Sequence, residues 1–399
     1  MFDFRETRPV VLAGAVRTPI GKFGGNLRAL SAVELGVAAA DDALTRAGIA
    51  TDDVDEVIFG HARQAGAGPN PARQVSIGAG VAESTPAFTV NQACASGLKA
   101  VMLAAQTVAL GGAEVILAGG IESMSNTPYL LPKARFGYRM GNAKVVDGMY
   151  RDGFMCPLCG DLMGATAERL AEKYQISRKA QDDYAVETHR RAQAAKVAGR
   201  FLDEIVPVEV PSRKGASVVV STDQHPRENL TAKHMANLPP VFRENGTVHA
   251  GNSSGVTDGG AAVLVMSEEA AGRHGVNVMA HVIAATQAGV APSIMGMGPV
   301  PSMRELMELL EIRIADIDLI ELNEAFAAQV LAVDQELQLD QEKLNVNGGA
   351  IALGHPIGCT GTRILVTLLH EMVRRSAKRG VATLCVSGGM GSSLLVERL

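Results

Sequence analysis

The sequence predicts an α/β protein built from two repeated β-α-β-α-β halves, with an inserted segment between them. Three observations support this prediction. Apolar strand-like runs alternate with amphipathic helical runs, the order of these runs recurs in the second half, and a long stretch without such alternation interrupts the chain. Strands that alternate with helices favour parallel or mixed sheets with helices packed on their faces.

The first half begins with PVVLAGAVRTPIGKFGG, an apolar run that ends in turn residues and predicts a strand. The helical stretch SAVELGVAAADDALTRAG and the apolar run VDEVIFGHA follow it. TVNQACASGLKAVMLAAQTVALGG predicts a short strand, a glycine-containing elbow and a helix, and VILAGGIESMS predicts the closing strand.

The second half repeats this order. VMAHVIAATQAGVAP, VPSMRELMELLEI and IDLIELNEAFAAQ predict a strand, a helix and a strand in turn. LNVNGGAIALGHPIGCTGTRILVTLLHEM again predicts a strand, an elbow after the residue pair VN, and a helix. TLCVSGGMGSS, like its counterpart in the first half, is an apolar run that leads into glycines.

From these repeats we predict an N-terminal half at 1–277 and a C-terminal half at 278–399. The first half consists of a core at 1–123 and 256–277 and of an inserted loop domain at 124–255. The insertion contains an irregular stretch with glycines and methionines, an amphipathic helical segment and short strands. Because long irregular connections are usually functional, we expect the insertion to lie over the active site.

Composition narrows the class of protein. The 399 residues carry a formal net charge of −5, which gives no basic footprint for nucleic acid or an anionic membrane. No apolar run reaches the roughly 18 residues of a membrane span, and the first residues lack the apolar core of a signal peptide. Five sparse cysteines indicate a reducing compartment, so we expect a cytoplasmic protein.

Four short stretches contain residues that could carry chemistry. Cys94 lies at a predicted helix start, where the helix dipole favours a thiolate, although a cysteine buried in the core has the same pattern. His355 lies between glycine and proline, which restrict the direction of its ring, as a general base requires. A histidine that is simply held in a turn has the same pattern. Cys385 precedes a glycine loop, and its ordinary explanation is core packing. Asn323 and Glu324 follow a strand, and their ordinary explanation is a solvated turn.

The repeat changes the balance between these explanations. In a twofold-repeated α/β unit, equivalent elbows tend to meet near the pseudo-symmetry axis. We therefore expect Cys94, His355 and Cys385 to come together. A thiol, an imidazole and a second thiol suit covalent acyl transfer combined with proton transfer at carbon.

The motifs VNQACASGL, NEAFA, NGGAIALGHPIGCTGTR and CVSGGMG, in this order, resemble the motif set of the thiolases. RTPIGKFGG near the start and AGNSSGVTDGGAA before the second half extend the resemblance over nearly the whole chain. The resemblance implies the thiolase fold, with a layered α-β-α-β-α core, and reversible CoA-dependent cleavage or Claisen condensation of 3-oxoacyl-CoA. It implies no metal and no cofactor, because coenzyme A is itself a substrate.

The resemblance also implies a role for each matching residue. Cys94 is the nucleophile that takes up the acyl group, and His355 is the base that activates it and helps to bind the thioester oxygen. Cys385 moves the proton on and off the α-carbon of the acetyl group. Asn323 holds a water in one oxyanion hole, and the backbone N–H groups of Cys94 and Ser387 serve the other.

On the substrate side, the resemblance implies six binding residues: Ser254, Ala250 and Phe242 for the pantetheine arm of CoA, and Met163, Met295 and Phe326 for the acyl pocket. Without the resemblance, each methionine is explained by core packing.

Some positions depart from the family pattern. Ser387 stands where the family usually has glycine, and Leu162 stands where members restricted to acetoacetyl-CoA commonly have histidine. The stretch NLTAKHMANLPP before Phe242 lacks an obvious arginine for the CoA phosphates, with Lys233 and His234 as substitutes. We expect acetyl-CoA C-acetyltransferase activity, with a 3-ketoacyl-CoA thiolase of broader chain length, acting in fatty-acid degradation, as the alternative.

Two further expectations concern the insertion. RFGYRMGNAKVVDGM resembles the loop through which many thiolases pair dimers into tetramers, so we expect a homotetramer that is a dimer of dimers. Cys156 and Cys159 form a C-x-x-C pair, but two ligands are poor evidence for zinc, and a redox pair would belong near a βαβ unit.

Two other classes of protein are disfavoured. A non-catalytic acyl-CoA binding protein with this fold would not need every reactive position to be occupied. A decarboxylating ketosynthase resembles a Cys-His-His site, whereas the third position here is Cys385.

Overall fold

The computed structural model of the chain describes residues 1–212 and 215–398. In that part of the chain the strands are β1 (Phe2–Asp3), β2 (Val10–Arg17), β3 (Gly21–Lys22), β4 (Glu56–His61), β5 (Ala87–Val90), β6 (Val115–Ser123), β7 (Tyr129–Leu130), β8 (Val146–Asp147), β9 (Val208–Val210), β10 (Val218–Val220), β11 (Thr257–Ser267), β12 (Ala280–Gly289), β13 (Leu319–Leu322), β14 (Arg379–Val386) and β15 (Met390–Glu397). The α-helices are α1 (Ala32–Ala47), α2 (Pro71–Gly78), α3 (Ser96–Ala109), α4 (Met163–Lys173), α5 (Arg178–Val197), α6 (Ala232–Ala236), α7 (Glu268–His274), α8 (Pro299–Leu310), α9 (Ala327–Leu337), α10 (Ala350–Leu353) and α11 (Ile357–Arg375).

Eleven of these strands form one hydrogen-bonded sheet whose main path runs β13-β14-β15-β12-β2-β11-β6-β4-β5. β4 pairs in parallel with β5 and β6, and β13 pairs in parallel with β14, while the other neighbours on this path are antiparallel. The first four strands of the path come from the C-terminal part of the chain. They join the rest where β12 meets β2, through the pairs Ala280–Leu12 and His281–Val11.

Helices cover both faces of each part of the sheet. In β6, Ile116 packs in the core that contains α3 and α11, whereas the next residue, Leu117, packs on the opposite face with α1. In β14, Leu384 faces the same central core, and Val381 faces the core that contains α8. The order is therefore helix, sheet, helices α3 and α11, sheet, helix, which confirms the predicted five-layer fold.

The two central helices approach closely because glycines lie at their contact. A Cβ added to Gly97 of α3 would lie 2.6 Å from Oγ1 of Thr362, and one added to Gly361 of α11 would lie 2.3 Å from the backbone nitrogen of Leu98. No side chain larger than hydrogen fits at these separations. Since both contacts lie near the starts of the helices, they bring together the two elbows that precede α3 and α11.

The structure extends the predicted repeat and corrects one strand. α2 and β11 in the first half, and α9 and β15 in the second, lie outside the predicted β-α-β-α-β order. The strand predicted within LNVN is wrong, because Leu344 forms only an isolated bridge with Ile320 and Asn345 has a φ of 44°. The side chain of Asn345 instead bonds both backbone groups of Leu322, at 2.9 and 2.8 Å, in place of a strand ladder.

The inserted segment contains two small antiparallel pairs, β7 with β8 and β9 with β10, and helices α4 to α6. The predicted amphipathic segment forms two helices because the chain turns at Gln175, which has a φ of 54°. Ser177 then starts α5 by accepting a hydrogen bond from the N–H of Ala180 at 3.1 Å. In the described part of the chain, no helix combines the length and the apolar character that a membrane crossing requires.

Candidate active site

Cys94 lies in a single 3-10 turn, Ala93–Ala95, directly before α3. The preceding residue, Ala93, has a φ of 46°, in the left-handed region that costs a residue with a Cβ about 1 kcal/mol or more. Asn91 Oδ1 accepts a hydrogen bond from the N–H of Ala93 at 3.0 Å, and Ser96 Oγ donates one to its carbonyl at 2.7 Å. These bonds hold the strained turn and fix the direction of the thiol.

The sulfur of Cys94 faces the loop after β14. Burial raises the pKa of the Cys94 thiol, and a hydrogen bond from the backbone N–H of Ser387 is the largest influence that opposes it. Burial also raises the pKa of Cys385, and the nearby charge of Cys94 raises it further. The structure therefore places both predicted cysteines and one backbone donor together. Burial thus outweighs the helix-start effect that favours a thiolate.

Ser387 occupies its position without backbone strain. The left-handed conformations in this loop belong to the next two residues, Gly388 with a φ of 93° and Gly389 with a φ of 90°. Because Ser387 contributes its backbone N–H to the site, the replacement of the usual glycine preserves the donor.

His355 lies in the elbow between α10 and α11 and is only 6% exposed. Its Nδ1 is 2.6 Å from Oγ1 of Thr360, and that hydroxyl donates its hydrogen to the carbonyl of Pro356 at 2.9 Å. The hydroxyl can therefore only accept from the ring, which assigns the ring hydrogen to Nδ1 and a free lone pair to Nε2. Burial lowers the pKa of His355 to about 3, so the imidazole is neutral and available as a base.

A buried carboxylate connects the two elbows. Glu122 on β6 accepts a hydrogen bond from the N–H of Gly358 at 2.9 Å and another from the N–H of Arg63 at 3.2 Å. It also lies 3.1 Å from Nε2 of His61 on β4. The start of α11 is thus attached to the N-terminal part of the sheet, next to the elbow of Cys94.

Asn323 and Glu324 are both fully buried, so the explanation of a solvated turn is wrong for this pair. The carboxylate of Glu324 accepts hydrogen bonds from Tyr184 at 2.8 Å, from Thr188 at 2.9 Å and from Asn345 at 3.0 Å. In contrast, neither side-chain amide atom of Asn323 has a partner in the described structure. A buried amide without a partner costs about 1–3 kcal/mol, and both amide atoms of Asn323 are therefore available to bond a group that enters the site.

Four of the six predicted substrate-binding residues lie in one apolar cluster, which also contains Cys385: Phe242, Met163, Met295 and Phe326. The rings of Phe242 and Phe326 meet edge to face at 6.1 Å. Ser387 Oγ lies 3.4 Å from the sulfur of Met163, which connects the cluster to the cysteine loop. Ser254 joins its edge through a hydrogen bond from its N–H to the carbonyl of Ala325 at 3.0 Å, whereas Ala250 is exposed.

The remaining residues singled out from the sequence lie in the insertion. Lys233 and His234 are exposed on the short helix α6. The thiols of Cys156 and Cys159 lie close enough to interact, and the described residues hold no cluster of three metal-binding side chains. Arg227, which lies just before the stretch NLTAKHMANLPP, is exposed as well and was not among the predicted residues.

Sequence reasoning also missed three polar residues that support the site. Glu122 lies within an apolar strand, and Arg63 follows another apolar strand. Thr360 lies within a largely apolar helix. A charged residue in an otherwise apolar strand is the one signal that could have found Glu122, since buried charges need partners. Thr360 carries no such signal, because a threonine in a helix is ordinary.

Comparison with known proteins identifies the family. Two family models match the chain, the thiolase N-terminal domain over residues 10–269 and the thiolase C-terminal domain over residues 276–398. An acetyl-CoA acetyltransferase of Cupriavidus necator is 51% identical over 389 residues, which cover 98% of this chain and 99% of the relative.

Solved structures agree. The acetyl-CoA acetyltransferase of Bacillus anthracis superimposes with a TM-score of 0.96 at 45% identity, covering 98% of this chain and 99% of that one. Human mitochondrial 3-ketoacyl-CoA thiolase in complex with CoA superimposes with a TM-score of 0.94 at 40% identity, covering 98% of both chains. The fold is that of these solved structures, and the chain belongs to the thiolase family.

Proposed function

We propose that this thiolase is an acetyl-CoA C-acetyltransferase that interconverts two acetyl-CoA with acetoacetyl-CoA and CoA through an acyl-enzyme on Cys94. The observation that carries the proposal is the meeting of Cys94, Cys385 and the N–H of Ser387 at one point. The names of the relatives at about 50% identity support the choice of substrate.

In the cleavage direction, the sulfur of Cys94 attacks the 3-oxo carbon, and the thiol proton passes to Nε2 of His355. Negative charge develops on the attacked oxygen, where the backbone N–H groups of Ser387 and Cys94 stabilise it. The C2–C3 bond then breaks, and acetyl-CoA leaves as its enolate, with the thioester oxygen near His355 and a water held by Asn323.

Cys385 donates its proton to the α-carbon of this enolate. Burial raises the pKa of Cys385 and so keeps it a thiol, which suits a proton donor to carbon. The thiolate left on Cys385 then takes the proton of the incoming CoA thiol, the CoA sulfur takes the acyl group from Cys94, and the Cys94 sulfur recovers its proton from His355. Condensation follows the same path backwards, and we propose that neither direction needs a metal or a resident cofactor, with CoA as a substrate.

A broader chain-length 3-ketoacyl-CoA thiolase is the second candidate. Leu162 is half-buried directly before Met163, at the position where acetoacetyl-CoA members commonly have histidine. An apolar residue there leaves the acyl pocket without a polar group that would oppose a longer chain. The similarity to human 3-ketoacyl-CoA thiolase supports this candidate as well.

We also propose that the protein is a cytoplasmic homotetramer. Within each chain, we propose that the N-terminal half ends at residue 277. Phe136 is 93% exposed and Met140 is 97% exposed in the segment between β7 and β8, which supports an interface there. The five free cysteines support a reducing compartment.

Lys233, His234 and Arg227 supply exposed positive or titratable groups for the nucleotide phosphates of CoA.

The test is CoA-dependent cleavage of acetoacetyl-CoA and of longer 3-oxoacyl-CoA substrates by the purified protein. The proposal predicts that kcat/KM is highest for acetoacetyl-CoA and falls with chain length. A flat profile would establish the broader thiolase instead. Absence of cleavage at every length would reject both.

A further inference from the structure

Arg63, which follows β4, is a buried cation without a partner. It is only 8% exposed, and its Nε is buried and makes no hydrogen bond. Within the described residues the structure records no hydrogen bond or ion pair to its guanidinium, although its backbone N–H bonds to Glu122. Because burying an unpaired charge costs several kcal/mol, such a group is retained where an anion forms next to it.

The inserted segment holds this guanidinium in place. A Cβ added to Gly153 would lie 2.5 Å from Nη2, 2.6 Å from Nε and 2.7 Å from Cζ of Arg63. The guanidinium therefore lies against the backbone of Gly153, which belongs to the helical turn Tyr150–Phe154. Phe154 packs in the same small cluster as the side chain of Cys94.

The backbone around Arg63 is tied to both elbows. The carbonyl of Ala62 accepts a hydrogen bond from Nδ2 of Asn91 at 3.1 Å, in the turn that leads to Cys94. Glu122, which binds the N–H of Arg63, also binds the N–H of Gly358 after His355. The backbone of Arg63 therefore has a fixed position relative to both elbows, and its guanidinium is held against Gly153.

We propose that Arg63 is the counter-charge of the Cys94 thiolate and that it acts on catalysis through this sulfur, not through the substrate. The inference rests on the proposed role of Cys94 as the nucleophile. When the thiol ionises, the S–H bond breaks, the electron pair stays on sulfur, and the proton passes to His355 or to solvent. The positive charge of Arg63 then faces a negative charge that the resting protein lacks.

The charges around the thiol agree with this assignment. Burial is the main cause that raises the pKa of Cys94, and the charge of Arg63 lowers it. The groups that face this region from the elements packed around it are His61 on β4, Glu122 on β6, Cys385 on β14 and His355 before α11. The carboxylate of Glu122 acts against a thiolate, so Arg63 is the nearby permanent positive charge that favours one.

Alkylation of Cys94 by iodoacetamide tests the inference, because only the thiolate reacts. The rate at Cys94 is followed by peptide mass spectrometry across pH in the wild type, Arg63→Gln and Arg63→Lys. We expect Arg63→Gln to move the midpoint to higher pH and to slow the reaction at neutral pH about tenfold, since a nearby charge shifts a pKa by about one unit or more. Arg63→Lys keeps the charge and restores most of the rate.

The half-exposed Cys159 provides an internal control, because its alkylation rate stays unchanged in all variants. If Arg63→Gln does not fold, Arg63→Met, which leaves no polar group to satisfy, replaces it. An unchanged midpoint at Cys94 overturns the inference. The inference is also overturned if Arg63→Gln changes only the KM for 3-oxoacyl-CoA substrates that end in a carboxylate, because Arg63 would then bind substrate.

The same experiment separates this inference from the proposed function. If alkylation of Cys94 leaves wild-type turnover intact, Cys94 is not the nucleophile and the proposed function fails. The comparison of midpoints still decides whether Arg63 stabilises the thiolate.

Discussion

The carboxylate of Glu122 accepts a hydrogen bond from the backbone N–H of Gly358 at 2.9 Å, although 236 residues separate them in the sequence. Gly358 lies in the first turn of α11, directly after the elbow of His355. A negative charge at the start of a helix satisfies a free N–H and complements the helix dipole. This contact attaches the elbow of the base to the half of the protein that carries the nucleophile.

Glu122→Gln should therefore damage both stability and activity. The amide has one acceptor oxygen and so cannot accept from the backbone N–H groups of both Arg63 and Gly358, as the carboxylate does. We therefore expect a loss of about 2–3 kcal/mol in the free energy of unfolding. Urea unfolding and kcat/KM measure the two effects. Glu114→Gln is the control, since Glu114 pairs with arginines at the surface and should cost less than about 1 kcal/mol.

Asn323→Ala should reduce activity with little effect on stability. Neither amide atom of Asn323 has a protein partner, so the variant breaks no side-chain hydrogen bond, but it removes a donor proposed to serve the oxyanion. We expect kcat to fall about 10²–10³-fold. Asn345→Ala is the opposite case, because that amide bonds Leu322 and Glu324, and its loss should lower the melting temperature. If both variants lose stability equally, Asn323 is structural.

Thr360→Val should impair the base without unfolding the protein. The valine has nearly the same shape but cannot accept the ring hydrogen from Nδ1 of His355, which the hydroxyl does at 2.6 Å. The imidazole then loses its fixed tautomer, and we expect kcat/KM to fall about 10- to 100-fold. Thr360→Ser should restore most of the activity. Equal rates for the valine variant and the wild type would contradict the tautomer assignment.

Acid should destabilise the protein through histidines that are buried in the neutral form. Burial lowers the pKa of both His355 and His189 to about 3, from an ordinary value of 6.5. Between these values the unfolded chain binds more protons than the folded one. The free energy of unfolding therefore falls with decreasing pH, by about 1.4 kcal/mol per pH unit for each histidine.

Urea unfolding of the wild type and of His189→Asn between pH 7 and pH 5 measures this contribution. The variant should show the smaller slope, because it lacks one of the histidines whose pKa burial lowers. Parallel curves would show that His189 is protonated in the folded state.

Local patterns in the sequence were sufficient to predict the family, the layered fold and the two elbows. VNQACASGL and GHPIG each combine small residues with one reactive side chain, and such a combination is visible without a structure. Contacts between distant residues were not predictable in this way. Glu122, Arg63 and Thr360 became part of the site only once the sheet and α11 were in place.

Burial was the second quantity that the sequence did not provide. Asn323 follows a strand and precedes a charged residue, a pattern that is typical of a solvated turn. The structure buries it because the insertion and α10 pack over this strand end, where Glu324 accepts bonds from Tyr184, Thr188 and Ile351. Burial also raises the pKa of Cys94, although a position at a helix start would by itself lower that pKa.

The most direct test of the account uses Cys385→Ala with acetyl-CoA. The variant keeps the nucleophile, its base and the N–H of Ser387 but lacks the thiol that moves the α-proton. After incubation, digestion and peptide mass spectrometry, we expect one acetyl group on Cys94, while formation of acetoacetyl-CoA falls by at least about 10²-fold. An unacetylated Cys94, or an acetyl group on another residue, would contradict the central claim that Cys94 carries the acyl-enzyme.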